Sequence, residues 1–386
     1  MVELNHFRLQ AIVFALVSSS FTNIYITQPI LPVLQQEFAS DIVTVSFSVS
    51  AVVLGIALSN LPFGVLADRW PIRPIVAVGG LAVALGGLIC ALTGHLWVLI
   101  AARFVQGLFI PALTTCLAAY LAKTLPSDKL NVVMGSYVSA TVLGGLGGRL
   151  LGGLIHPPLH WRYAFVSAAF FMIVSTGIAL RGLPHSSQWG KPGRNRIRFR
   201  ELLGRWALLR LYLCAAASFA IFSSLFNYLP FRLNAPPFQL STEWTTLIYL
   251  VYIVGIFLGP VSGRLSTRFG SGRMLLGGSI VLAVSLLTLR LTYLSAIIAG
   301  LVGICTGFFT IHAAAVGALN RRVSVGQGRA NALYVLFYYA GGWIGITAAG
   351  MAFKSGGWDA VIYSALLFLG ISLAASIGEH IGTRRQ

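Results

Sequence analysis

Residues 42–70 read IVTVSFSVSAVVLGIALSNLPFGVLADRW. No charge interrupts this stretch before Asp68. Its uncharged part of about 25 residues would make roughly 38 Å of α-helix, more than the ~30 Å hydrocarbon core of a bilayer. Backbone groups in lipid must be satisfied within the segment, so such a run is helical. Similar runs recur along all 386 residues, and the chain is 57% hydrophobic and only 9% charged. A mean hydropathy of +0.83 leaves too little polar surface for a water-soluble protein of this length. The spans fall near 10–34, 42–66, 73–93, 96–121, 131–156, 162–182, 206–231, 243–266, 273–293, 295–320, 327–353 and 358–380. They imply an all-α membrane protein with twelve transmembrane helices.

The end of the opening stretch is repeated. Gly64-Val-Leu-Ala-Asp68-Arg69-Trp70 recurs 199 residues on as Gly263-Arg-Leu-Ser-Thr-Arg268-Phe269, each after the second helix of its half. Between the halves lies the one long polar stretch, 183–205, rich in Ser, Gly, Pro and basic residues, which reads as a cytoplasmic linker. The domains are therefore an N-terminal bundle 1–182, the linker 183–205 and a C-terminal bundle 206–386. A duplicated six-helix unit is a transporter architecture, with a binding site expected near midplane between the repeats. Helix 5 carries Gly144, Gly148 and Gly152, and helix 8 carries Gly255, Gly259 and Gly263. Each set forms a ridge of small residues that admits close helix approach, and the two are expected to pack on each other.

The formal charge of +18 suggests nucleic acid until the positions are read. With the N-terminus inside, 21 of the 27 Lys and Arg fall on the cytoplasmic side, eight of them between 181 and 210. Arg162, Arg232, Arg290 and Lys354 fall on the other side, and Arg103 and Arg149 lie inside helices. This is the positive-inside bias, so both termini are expected in the cytoplasm of a bacterial inner membrane. The partners it implies are anionic lipids on that side, and no nucleic acid. Cys90, Cys116, Cys214 and Cys305 lie in apolar spans without metal-ligand spacing and read as packing residues. Residues 1–25 lack a small-residue cleavage pattern and read as part of an uncut first helix.

Three motifs carry a resemblance. Gly64-Val-Leu-Ala-Asp68-Arg69-Trp-Pro-Ile-Arg73 resembles the loop signature of the major facilitator superfamily. Arg103-Phe-Val-Gln106-Gly107 resembles its helix-4 element, and Gly144-Gly-Leu-Gly-Gly148-Arg149-Leu-Leu-Gly152-Gly153 matches its helix-5 antiporter element at every glycine. The nearest branch resembled is the bacterial drug-efflux proton antiporters, including uncharacterised members. Arg149 stands where that element has proline. The resemblance implies that Asp68 faces the start of helix 11, near Gly326–Arg329, and latches the cytoplasmic side. Gly64, Arg69, Arg73 and Arg268 belong to the same gating loops. It also implies that helices 1, 4, 7 and 10 line the cavity.

A cation buried in a membrane is costly and generally faces the bundle interior or a wet cavity. Arg103 and Arg149 are thus candidate substrate-binding residues, with snorkelling to the surface as the alternative. No Asp or Glu lies mid-span, which tilts the substrate toward anions or zwitterions. His312 is the one embedded side chain that titrates near neutrality. Its neighbours are apolar, and a structural role competes with a coupling one. Tyr25 and Gln28 on helix 1, Asn227 and Tyr228 on helix 7, and Tyr338 on helix 11 complete the candidates. No Walker loop, zinc spacing or nucleophile motif occurs, so neither an enzyme nor a cofactor is implied. The reading is a monomeric secondary transporter working by alternating access, exporting a small molecule against proton entry. An importer or facilitator of an organic anion held by Arg103 and Arg149, and a non-transporting receptor on the same fold, are the alternatives.

Overall fold

The computed structural model describes residues 6–183, 198–323 and 326–384, and every regular element among them is helical. The larger part of the expected linker, 184–197, lies outside the described residues. The spanning helices, numbered α1 to α12, fall close to the expected runs. α1 comprises His6–Tyr25, a 3-10 turn Gln28–Ile30 and a short helix Leu31–Glu37. Then come α2 (Ile42–Leu66), α3 (Ile72–Leu92), α4 (Leu96–Leu113 continued by Thr115–Thr124), α5 (Ser127–Ile155) and α6 (Arg162–Gly182). After a surface turn of helix at Phe199–Leu203 follow α7 (Trp206–Asn234), α8 (Thr242–Ile248 through Val254–Phe269), α9 (Ser271–Thr288) and α10 (Leu294–Arg322). The helical stretch Gln327–Arg384 is two spans, because Gly356 and Gly357 leave the helical region, Gly357 at φ 63°. Residues before them form α11 and residues after them α12. Glycine is the residue that takes this left-handed conformation without a Cβ clash.

The chain divides into two compact units, one of residues 6–30 and 51–183 and the other of 31–50 and 198–384. The division inside α1 falls at its own break. In the first unit α1 packs on α5 and α6, and α3 lies against both α4 and α6. In the second, α7 packs on α11, α8 on α10, and α9 on α10 and α12. The echo in sequence is therefore an echo in packing. Gly79 of α3 faces the Ala112 side chain of α4, and 199 residues later Gly278 of α9 faces Ile311 of α10.

Both faces of many helices are apolar. On α3, Leu81, Leu85, Ile89 and Leu92 are exposed while Val76, Val83, Ala84 and Cys90 are buried. A helix wetted by lipid outside and packed on protein inside has this distribution.

Candidate functional site

The candidate residues of the first unit gather at the break in α1. A helix leaves its last four carbonyls without intrahelical partners, and Pro29 and Pro32 beyond Tyr25 have no N–H to offer. Two of these carbonyls are met by Arg103 of α4, which is completely buried. Its Nη1 donates to the Asn23 carbonyl at 2.5 Å and its Nη2 to the Ile24 carbonyl at 2.6 Å. Nη1 also donates to Gln106 Oε1 at 2.7 Å, and Gln106 Nε2 donates to Val83 O at 2.8 Å and Asn23 Oδ1 at 3.3 Å. The spacing of Arg103 and Gln106, one helical turn, puts both on the same face of α4. Arg103 is thus a brace between α4 and the broken end of α1. The charge-assisted bonds offset its desolvation.

The second element is the glycine ridge of α5. A Cβ at Gly144, Gly148 or Gly152 would collide with the backbone of Ser18, Thr22 or Ile26, respectively. Both series advance by four, so one turn of α5 meets one turn of α1 in register. Within its own unit the partner of this ridge is α1. Gly255 faces the Phe309 ring of α10, and Cβ atoms at Gly259 and Gly263 would meet nothing within 4 Å among the described residues. The matching ridge of the second unit is Gly341 and Gly345 of α11, which press on the backbones of Ala216 and Ala220 of α7. That pair was legible as two small-xxx-small spacings in sequence.

Close approach of α5 to α1 delivers Arg149, one residue past Gly148, to the α1 break. Arg149 is completely buried. Its Nε donates to Gln28 Oε1 at 2.8 Å and its Nη1 to the Gly145 carbonyl at 2.8 Å. The guanidinium carbon lies 4.1 Å from the centre of the Tyr25 ring, a cation–π distance. Three sequence candidates, Tyr25, Gln28 and Arg149, therefore form one cluster. Thr27, absent from the candidates and next to Gln28 in the chain, is also completely buried. Its signal was adjacency to Gln28 immediately before Pro29.

The second unit carries an aromatic cluster. His312 of α10 is half-buried, and its Nδ1 lies 3.0 Å from the Tyr334 hydroxyl of α11. Phe308 stacks beside the imidazole, and Tyr338 lies 5.3 Å from it between ring centres. Tyr338 in turn stacks on Phe219 of α7 at 3.8 Å. Tyr228 is buried and donates to the Ile346 carbonyl of α11 at 3.1 Å, which ties α7 to α11. Asn227 beside it is completely buried.

The gating candidates lie at helix ends. Asp68, for which the resemblance implies a partner near Gly326–Arg329, pairs with Lys123 of its own unit at 2.6 Å, both side chains about half exposed. Lys123 Nζ also donates to the Ala67 carbonyl at 3.1 Å. Arg73 donates to the Leu180 carbonyl at the end of α6. Arg69 and Arg268 are exposed, Arg268 lying 5.3 Å from the Phe269 ring, and a Cβ at Gly64 would meet nothing within 4 Å.

Comparison with known proteins defines the class. The Major Facilitator Superfamily model matches residues 13–310, and the chain belongs to that family. It is 29% identical over 360 residues to the uncharacterized MFS-type transporter YybF of Bacillus subtilis, covering 90% of this chain and 87% of that one. It is 28% identical over 381 residues to the inner membrane transport protein YnfM of Escherichia coli, covering 98% and 91%. Its fold matches a solved bacterial homologue of the human lysosomal transporter Spinster, in an inward-facing and occupied conformation. The TM-score is 0.81 at 14% identity, covering 100% of this chain and 98% of that one. The protein is a membrane transporter of a small molecule, and not an enzyme.

Proposed function

We propose that the chain is a secondary active transporter of the bacterial inner membrane, working by alternating access and exporting a small molecule in exchange for protons. The observation that carries proton coupling is the His312–Tyr334 pair at 3.0 Å. An imidazole held at Nδ1 by a tyrosine keeps Nε2 to take and release a proton. The name of the YnfM relative supports the inner membrane, and the inward-facing conformation of the Spinster homologue supports alternating access. The basic loops support cytoplasmic termini and contacts with anionic lipid. We take the working unit as one chain, built as an N-terminal bundle 1–182, a basic linker 183–205 and a C-terminal bundle 206–386.

Inside-out membrane vesicles test the reading, with radiolabelled benzoate, leucine and tetraphenylphosphonium as an acid, a zwitterion and a cation. An acid-inside gradient is expected to drive accumulation of at least one of them. His312→Gln is expected to abolish that accumulation while downhill exchange continues. Accumulation unaltered in His312→Gln, or no gradient-driven movement of any probe, overturns proton-coupled export. A second reading, an importer or facilitator of an organic anion, is favoured by the setting of Arg149. It calls for benzoate movement that the gradient does not alter.

A further inference from the structure

We infer that Arg149, Gln28 and Thr27 form a seat for one carboxylate group of the transported molecule. The inference names a substrate class for the transport reading above and does not depend on proton coupling. All three side chains are completely buried, and all belong to the first unit. A guanidinium can only donate hydrogen bonds, so the 2.8 Å contact from Arg149 Nε fixes which end of the Gln28 carboxamide faces it. The oxygen is taken, and the amide nitrogen is turned away as a donor. That nitrogen, Gln28 Nε2, has no acceptor among the described residues, and neither does the buried Thr27 hydroxyl have a partner. Buried donors left without acceptors cost roughly 1–3 kcal/mol each. Two adjacent ones beside a buried cation mark a place where an anionic acceptor belongs.

The charge sets the class. Two unmet hydrogen-bond donors next to a guanidinium favour an anionic acceptor over a neutral one. The Gln28 amide N–H and the Thr27 hydroxyl, on consecutive residues, are donors of the kind a carboxylate accepts from. The Tyr25 ring, 4.1 Å from the guanidinium, covers one side of the cation and offers an apolar wall. An organic acid with an aromatic or apolar body fits this combination better than a small inorganic ion.

Calorimetric titration of the purified full-length chain with sodium benzoate, neutral benzamide and inorganic phosphate tests the seat without any pH gradient. Benzoate is expected to bind about tenfold or more tightly than either of the others. Arg149→Lys keeps the charge but loses the planar fork and is expected to weaken benzoate about tenfold. Gln28→Glu supplies its own carboxylate to Arg149. It is expected to abolish benzoate binding while leaving thermal unfolding unchanged or raised, which separates loss of the seat from loss of the fold. Equal binding of benzamide or phosphate, no benzoate binding to the wild type at millimolar concentration, or wild-type binding by Gln28→Glu would each overturn the inference. Loss of gradient-driven accumulation in His312→Gln vesicles bears on coupling alone.

Discussion

Arg103 and Arg149 are both completely buried arginines inside spans, and what each guanidinium touches separates their roles. Arg103 donates to the carbonyls of Asn23 and Ile24 and to Gln106, groups that belong to the fold. Arg149 donates to Gln28 and Gly145 and lies on Tyr25, beside donors that await an acceptor. Arg103→Met should therefore leave two buried carbonyls without donors and destabilise the protein by about 2–4 kcal/mol. Arg103→Lys should not recover it, because one ammonium cannot reach both carbonyls in the geometry of a planar fork. Thermal unfolding of the purified variants measures this. Unchanged unfolding temperatures would show that Arg103 does not brace α4 against α1.

At the level of the element, glycine spacing decides which helices touch. The α5 ridge seats Gly144, Gly148 and Gly152 on Ser18, Thr22 and Ile26 of α1, and the α11 ridge seats Gly341 and Gly345 on Ala216 and Ala220 of α7. Without a hydrophobic force between helices in lipid, this close contact of backbones is a main source of association. Gly148→Leu drives a branched side chain into the Thr22 backbone and should cost about 3 kcal/mol or more. Gly259→Leu, at a position where a Cβ meets nothing within 4 Å, should be nearly neutral. Fluorescence-detected size exclusion after detergent extraction compares the two: the first should aggregate or vanish, the second should elute as wild type. Equal behaviour would show that the ridge does not hold α1 to α5.

At the scale of the whole molecule, the loops at Gly64–Trp70 and Gly263–Phe269 repeat one another, and the gating role expected of them can be tested at Asp68. The Asp68–Lys123 pair is half exposed on both sides, and such a pair contributes only about 0–1 kcal/mol to folding. A change at Asp68 can then alter the cycle without unfolding the protein. Asp68→Asn should leave the thermal unfolding temperature within error, slow transport, and increase labelling of a cysteine placed at the cytoplasmic mouth. Normal turnover with unchanged labelling would show that Asp68 is an ordinary solvated acid and no latch.

The number of spans, their order and the duplication were all legible in the sequence, because hydropathy, charge placement and a 199-residue echo are local or additive properties of the chain. The break between α11 and α12 was legible too, from Gly356 and Gly357. Burial of Arg103 and Arg149 followed from their depth within apolar runs. Their partners did not follow, since depth says that a cation must be satisfied and says nothing of what satisfies it. The same limit governed the glycines. A spacing of four announces that another backbone comes close, and two ridges in one chain suggest each other. Which backbone arrives depends on how six helices share one interior. Tertiary structure set α1 against α5, and that contact brought Arg149 to Tyr25 and Gln28. The members of a cluster drawn from two helices more than a hundred residues apart can each be picked out in their own segment, but their meeting cannot, because that geometry belongs to the packing between the helices.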